Sequence, residues 1–291
     1  MPPVSHPVSP PVSIVLTTYN RAAALAATLD TLLVQTFGDF ELIVCDDCSP
    51  DNTEEVVRRY RERDSRIRYH RHAKNVGMPG NLNEGIRLSR GEYIANLHDG
   101  DLYVPQLLEK WKAALDRNPG AAFVFNKYGA LAEDGSLASV SGEDLPEVFP
   151  GAVLLEKIYF RRWRFDSPVW GTVMGRRSAY FEAGLFDPRF GFLSDVDMWM
   201  KLAEKHQVAF LSEPLINIPT RDTLPRQWNL KREDIVLRKM FWEARVRHYR
   251  GRPAPMALEA AKHAWSVTWC LIYLAMLRTN AALRGRNRRK R

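Results

Sequence analysis

Three clusters of acidic side chains carry most of the chemistry this sequence offers. Asp99-Gly100-Asp101 is a D-x-D directly after an apolar run. Two carboxylates that close suit a hard divalent cation, Mn2+ or Mg2+, which prefers oxygen ligands and completes its shell with substrate phosphates. A cation there would neutralise a departing diphosphate; the same triplet also marks simple turns. Asp46-Asp47 ends another apolar run. An Asp so placed can accept a hydrogen bond from a nucleobase N–H or a ribose hydroxyl. The alternative is an Asx turn or a helix cap, and Asp51 with Asn52 suits that use better. Ser194-Asp195-Val196-Asp197 opens a helical pattern. Its two carboxylates point in different directions, so one can face a cleft as a general base, while helix capping is the competing use. Tyr19 can stack on a base or pack as a core tyrosine.

Such groups act together only if the fold gathers them. Val12 to Leu16 is a short β-branched run and reads as a strand. Leu25, Leu29, Leu32 and Leu33 follow at helical spacing. Phe40 to Cys45 reads as a second strand, and Val56, Val57 and Tyr60 give the next helix its apolar face. Ile67 to Tyr69 is a weak third strand, Asn81 to Ser89 a helix, and Tyr93 to Leu97 a fourth strand. This alternation predicts a mostly parallel α/β sheet covered by helices on both faces. Ligands of such sheets bind at the C-terminal strand ends. The polar clusters after the first, second and fourth strands would therefore converge on one nucleotide-sized site. Farther on, Ala121 to Asn126 and Val169 to Met174 read as strands, Asp195 to Lys205 as a helix and Val208 to Leu211 as a short strand. From Glu233 the pattern is helical to the end.

Composition bounds the partners. The chain has 291 residues, 45% hydrophobic and 26% charged, with a net charge of +8. The last fourteen residues, from Arg278, hold seven of the basic side chains and no acidic one. The remainder is nearly neutral, so a basic nucleic-acid-binding fold is not indicated. The tail suits an anionic surface or is a solvated end. Ala264 to Leu277 is apolar and aromatic but, at 14 uncharged residues, is short of the ~20 that span a bilayer. With the tail it predicts a reversible membrane-interface anchor; a helix packed on the protein or a dimer contact is the alternative. Three cysteines make neither a disulfide framework nor, with one CxxC at Cys45 and Cys48, a zinc site. They point to a reducing cytoplasm. The Pro-rich start lacks the apolar core of a signal peptide. The expected organisation is a flexible leader over 1–11, a catalytic domain over 12–220, a helical extension over 221–277 and a basic tail over 278–291.

The segments VSIVLTTYNR, DFELIVCDDCSPDNT, NVGMPGNLNEGIRLSRGEYIANLHDGD and GLFDPRFGFLSDVDMWMKLA occur in that order. As an ordered set they resemble the family 2 glycosyltransferases with the GT-A fold, which are inverting and nucleotide-sugar dependent. The resemblance covers about residues 10 to 220. It implies a Rossmann-like, mostly parallel sheet with a C-terminal helical extension. It implies donor-nucleotide contacts from Thr17, Tyr19, Asn20, Asp47, Asn75, Gly77, Asn83 and Asp99, and metal contacts from Asp101 and Asp99. Asp195 is implied as the base, with Asp197, Trp170 and Trp199 toward the acceptor. His98 and Gly100 stand where the family commonly has Asp, which favours Asp101 over Asp99 for the metal. Ser194 stands where Glu is frequent. A Gln-x-x-Arg-Trp motif of processive members is absent, which implies transfer of one sugar per encounter.

The reaction so implied is a single displacement. Asp195 deprotonates an acceptor hydroxyl of a glycan or a lipid-linked intermediate as it attacks the anomeric carbon of a nucleotide-diphosphate sugar, UDP-sugars first. Cell-surface polysaccharide synthesis on the inner face of the cytoplasmic membrane suits such an acceptor. A sugar nucleotidyltransferase would carry a Gly-rich loop after the first strand, where this chain has TTYNRAAALA. A non-catalytic carbohydrate-binding or scaffold protein of the same fold is the other alternative; loss of the metal carboxylates or of the base would favour it, and both are present.

Overall fold

The computed structural model describes residues 9–160, 169 and 171–219, and in the C-terminal part residues 236, 239–240, 242–244 and 246–247. The chain divides into two compact units, residues 1–226 and 227–291. The first unit opens with β1 (Val12–Thr18), α1 (Ala22–Leu33), β2 (Phe40–Asp46), α2 (Thr53–Arg61), β3 (Ile67–Arg71), α3 (Met78–Leu88) and β4 (Tyr93–His98). It continues through β5 (Leu102–Tyr103), α4 (Leu107–Arg117), β6 (Ala121–Leu131), β7 (Leu137–Ser141), β8 (Val148–Pro150) and α5 (Gly151–Phe160). Then come β9 (Val173–Arg176), α6 (Arg177–Glu182), a 3-10 turn over Pro188–Leu193, α7 (Ser194–Ala203) and β10 (Gln207–Pro219). The described residues of the second unit are helical, and Met240 and Ala244, four apart, are buried. Residues 1–8, Ala264 to Leu277 and the basic tail lie outside the described residues.

One sheet runs in the order β3-β2-β1-β4-β9-β6-β10-β5, with β7 on β6 and β8 on β10. The pairs β2–β3, β1–β2 and β1–β4 are parallel. β9 then enters antiparallel between β4 and β6. Val12, Ser13, Ile14, Val15 and Leu16 are all fully buried, as a central strand covered on both faces requires. Val12, Ile14 and Leu16 share one buried cluster with Leu25, Leu29 and Leu32 of α1 and Leu107, Leu108 and Trp111 of α4. The one polar residue inside that stretch, Ser13, donates to Glu41 at 2.7 Å. Burial alone would raise the Glu41 carboxyl, but bonds from Ser13, Arg68 and Arg90 outweigh it and hold the pKa below the usual range. This charged knot ties β1, β2, β3 and the loop after α3 at the end of the sheet away from the strand C-termini.

The second half departs from the expected pattern in two ways. β10 extends from Gln207 to Pro219 instead of ending at Leu211. Ser212, Glu213 and Pro214 interrupt its hydrophobic run, and the register against β6 shifts between Leu211 and Pro214; a bulge of this kind hides a strand from its pattern. The strand expected from Val169 begins only at Val173.

Candidate functional site

The registers align the polar clusters. Thr17 pairs with Cys45 on one side and His98 on the other, and Thr18 pairs with Asp46. Asp46 in turn pairs with Arg71 at the end of β3. β4 and β9 are antiparallel with Asn96 opposite Val173, so the chain entering β9 arrives at the same sheet edge. The three clusters thus share the C-terminal end of adjacent strands, as the alternation predicts.

Asp47 is nearly buried. Its two carboxylate oxygens accept the N–H groups of Val76 at 2.6 Å and Gly77 at 2.9 Å. Gly77 adopts φ +80°, ψ 158°, open to glycine almost alone, and Asn75 Oδ1 accepts the same N–H at 3.1 Å. Asp47, Asn75 and Gly77 therefore come together as one clamped loop beside the end of β2. Asp46 turns inward. It accepts from Tyr69 Oη at 2.6 Å and Ser49 N–H at 2.8 Å. Burial and that carboxylate push the Tyr69 phenol upward. On the β1 side Tyr19 is 48% exposed, so its ring face is available to a base. Asn20 is also exposed, at φ +54°, with its N–H on Ser49 Oγ at 2.9 Å.

Three of the sequence-implied binding residues, Asn83, Trp199 and Asp197, are engaged within the fold. Asn83 is buried, and its amide bonds both backbone groups of Phe186, donating to the carbonyl at 2.8 Å and accepting the N–H at 2.9 Å. That pairing staples α3 to the segment before the 3-10 turn. Trp199 is fully buried and packs against Phe123 (5.3 Å between ring centroids) and Phe186 (5.8 Å). Asp197 is fully buried too and pairs with Lys201, one turn on, at 2.6 Å. Both side chains are enclosed by the fold, so neither presents a surface to an acceptor. Trp170 lies outside the described residues, as do Trp163 and Trp228.

Asp99 is held by two residues that sequence reasoning did not single out. Its oxygens accept from Thr18 Oγ1 at 2.8 Å and Arg21 Nη1 at 2.7 Å. Arg21 also reaches the Asp99 carbonyl at 3.0 Å. Asp101 is almost entirely buried. The turn between the two carboxylates is stapled to α1 by Thr28, whose hydroxyl donates to the Asp101 carbonyl and accepts the Gly100 N–H. Among the described residues no group of three or more His, Cys, Asp or Glu forms a metal cage. The residues here that could hold a Mg2+ or Mn2+ ion are Asp101 and, if it exchanges its bonds to Thr18 and Arg21, Asp99, with phosphates and water completing the shell.

Asp195 lies in the first turn of α7 and keeps part of its surface open. Loss of water around it raises its carboxyl from 3.8 to about 6. The Val196 N–H at 2.7 Å and the helix start favour the charge by on the order of 1 kcal/mol, less than one pKa unit, so burial prevails. His98, half-buried at the end of β4, comes near it at Gly171. Of the cysteines, Cys45 is buried and its thiol is pushed up to about 12, chiefly by burial, which leaves it inert.

The profile of the glycosyl transferase family 2 matches residues 13–185. An uncharacterized glycosyltransferase of Methanocaldococcus jannaschii is 27% identical over 218 residues, 73% of this chain and 72% of that one. S. aureus TarS in complex with UDP-GlcNAc superposes with a TM-score of 0.64 at 20% identity, over 81% of this chain and 66% of that one. A mannosyltransferase of Pyrobaculum calidifontis in complex with GDP-Man and Mn2+ superposes with a TM-score of 0.60 at 18% identity, over 90% of this chain and 72% of that one. This chain spans from 29% to 72% of the length of the first curated relatives it matches.

Proposed function

The chain belongs to the glycosyl transferase family 2 and has the GT-A fold, and on that premise we propose that it transfers one sugar per encounter, with inversion, from a UDP-sugar to a hydroxyl of a glycan or lipid-linked acceptor. That it is a sugar-transferring enzyme working on nucleotide-sugar donors follows from the family; the donor base, the acceptor and the stereochemistry are our reading. The observation that carries the reading is the alignment of Thr17, Asp47's loop, the Asp99–Asp101 turn and Asp195 around one sheet edge.

The nucleoside occupies the β1–β2 side. Tyr19 stacks on the base, and Thr17, Asn20 and the loop clamped by Asp47 border it. Asp101, with Asp99, would hold Mn2+ or Mg2+, which supplies positive charge to the diphosphate when bound. Arg21, fixed on Asp99 and still 37% exposed, adds a second positive charge on that side. Asp195 takes the acceptor proton as the hydroxyl attacks the anomeric carbon; the carbon–oxygen bond to the diphosphate breaks on the opposite face. A base of pKa about 6 is charged at neutral pH and still basic enough to accept a proton in the transition state.

The acceptor side is open. S. aureus TarS is in complex with UDP-GlcNAc and the Pyrobaculum calidifontis mannosyltransferase with GDP-Man, and the two donors differ in base and sugar. Among the described residues no helix is long and apolar enough to cross a membrane. We place the enzyme on an anionic inner membrane face through Ala264–Leu277 and the basic tail, where polyprenyl-linked acceptors reside. The test is release of nucleoside diphosphate from a panel of UDP-, GDP- and dTDP-sugars, with membrane lipid extract as acceptor. Stimulated release from one UDP-sugar supports the reading; stimulation with GDP- or dTDP-sugars alone overturns the choice of base.

A further inference from the structure

We propose that His98 is a positioning residue for Asp195, its imidazole bracing the carboxylate over Gly171 in the orientation that receives the acceptor proton. The inference rests on reading Asp195 as the base.

Gly171 is the meeting point. A Cβ placed on it would lie 2.5 Å from His98 Cε1, 3.2 Å from His98 Nε2 and 3.1 Å from Asp195 Oδ2. The imidazole nitrogen and the carboxylate oxygen are therefore no farther apart than the sum of the last two distances. The imidazole and the carboxylate fill the volume that any side chain at position 171 would need, one coming from the end of β4 and the other from the start of α7.

Both supports are rigid. The His98 N–H donates to Tyr103 Oη at 2.9 Å, and that hydroxyl donates back to the His98 carbonyl at 2.9 Å. Tyr103 is itself buried. The backbone from which the imidazole hangs is thus clamped from both sides. The Gly171 carbonyl accepts from Asn96 Nδ2 at 3.0 Å, so the floor beneath the pair is fixed to the same strand, two residues before His98. Among the described residues the hydrogen bond to Asp195 comes from the adjacent Val196 N–H, which leaves its outer oxygen to be placed by what stands over Gly171.

The residue type matters as much as the place. A carboxylate at position 98, common in the family, would set like charges side by side over Gly171. An imidazole offers a flat surface and a ring N–H donor instead, so it can touch a carboxylate without repelling it. A base held in a near-attack geometry gains much of its effect from orientation, and a misplacement of ~1 Å costs on the order of 100-fold.

The test is a double-variant cycle on His98 and Asp195 in the full chain, reading nucleoside diphosphate release and donor affinity by calorimetry. His98→Ala is expected to lower kcat by roughly 10- to 100-fold while donor Kd stays within about twofold. His98→Gln, which keeps an N–H donor near the Nε2 position, is expected to recover most of that loss. In an Asp195→Asn background, His98→Ala is expected to change nothing further, because the group it acts through is gone. Gly171→Ala, which must displace both side chains, is expected to match His98→Ala. Multiplying losses in the double variant, a fall in donor affinity, or a folded His98→Gln variant no better than His98→Ala overturns the proposal. If Asp195→Asn alone keeps the full rate, the base reading itself fails. If Asp195→Asn is severely impaired and His98→Ala is not, only the positioning role fails.

Discussion

Replacing Asp195 by Asn should slow the enzyme and stabilise it at once. The amide fills the same volume and can still accept the Val196 N–H that Asp195 accepts at 2.7 Å. It cannot take a proton, so kcat should fall by about 100- to 10 000-fold, with donor affinity retained. The stability gain comes from the raised pKa. Burial moves the carboxyl from 3.8 to about 6, so ionising it is harder in the folded than in the unfolded chain. At about 1.4 kcal/mol per pKa unit, a fully enclosed group would carry a penalty of roughly 3 kcal/mol. Asp195 is partly open to the cleft, and screening reduces this to about 1–2 kcal/mol. The sign is fixed by linkage. The protonated carboxyl favours the folded state, an advantage complete below the unfolded pKa and lost as pH rises through about 6. Wild type and Asp195→Asn should therefore have similar midpoints near pH 4 and diverge above it. By pH 7.5 the variant should melt about 2–6 °C higher for a unit of this size. Thermal melts from pH 4 to 8, with nucleoside diphosphate release at pH 7.5, read both effects. A variant that loses turnover but melts lower at pH 7.5 would refute the burial argument; one that keeps turnover would refute the base.

The same pKa predicts that log kcat/KM rises with pH and levels off above about 6; a profile flat from pH 5 to 8 contradicts it. Asp101→Ala should remove at least ~100-fold of transfer with the fold intact by circular dichroism. Excess chelator should do the same, and full activity in either case removes the metal role. Asp47→Ala should weaken UDP binding more than Asp46→Ala, because it releases the Val76–Gly77 loop. Asp46→Ala should instead destabilise by about 2–4 kcal/mol, since it strands the buried Ser49 N–H and removes the partner of the half-buried Tyr69 hydroxyl; calorimetry and denaturant melts separate the two. The full chain should co-sediment with anionic vesicles at low salt and a chain ending before Met256 should not; equal behaviour of the two ends the membrane proposal.

The first half of the fold was legible because its central strands β1, β2 and β4 are buried on both faces. Val12–Leu16 and Phe40–Cys45 are apolar with few interruptions, and each stops at the polar cluster that turned out to share its sheet edge. The second half was not, because β10 crosses Ser212-Glu213-Pro214 with a register shift, and β9 is only Val173–Arg176. The candidate site was legible as far as residue type went. Asp47, Asp99, Asp101 and Asp195 announce themselves by position after a strand or at a helix start. What each side chain engages was not legible. Spacing cannot show that Asn83 spends its amide on Phe186, nor that Trp199 sits between Phe123 and Phe186. Arg21, Thr18 and Gly171 carried no signal of their own. Their roles arise from contacts across tens of residues, with Asp99 for the first two and with His98 and Asp195 for the third.

The central claim is that one cleft binds a nucleotide-diphosphate sugar and that Asp195 acts on the acceptor, not on the donor. Calorimetric titration of the full chain and of Asp195→Asn with a panel of nucleotide sugars, each with and without Mn2+, tests it most directly. A UDP-sugar is expected to bind both proteins with the same affinity, more tightly with Mn2+, while only wild type releases UDP when acceptor is added. Absence of binding by any nucleotide sugar, or loss of donor affinity in Asp195→Asn equal to its loss of turnover, would contradict it.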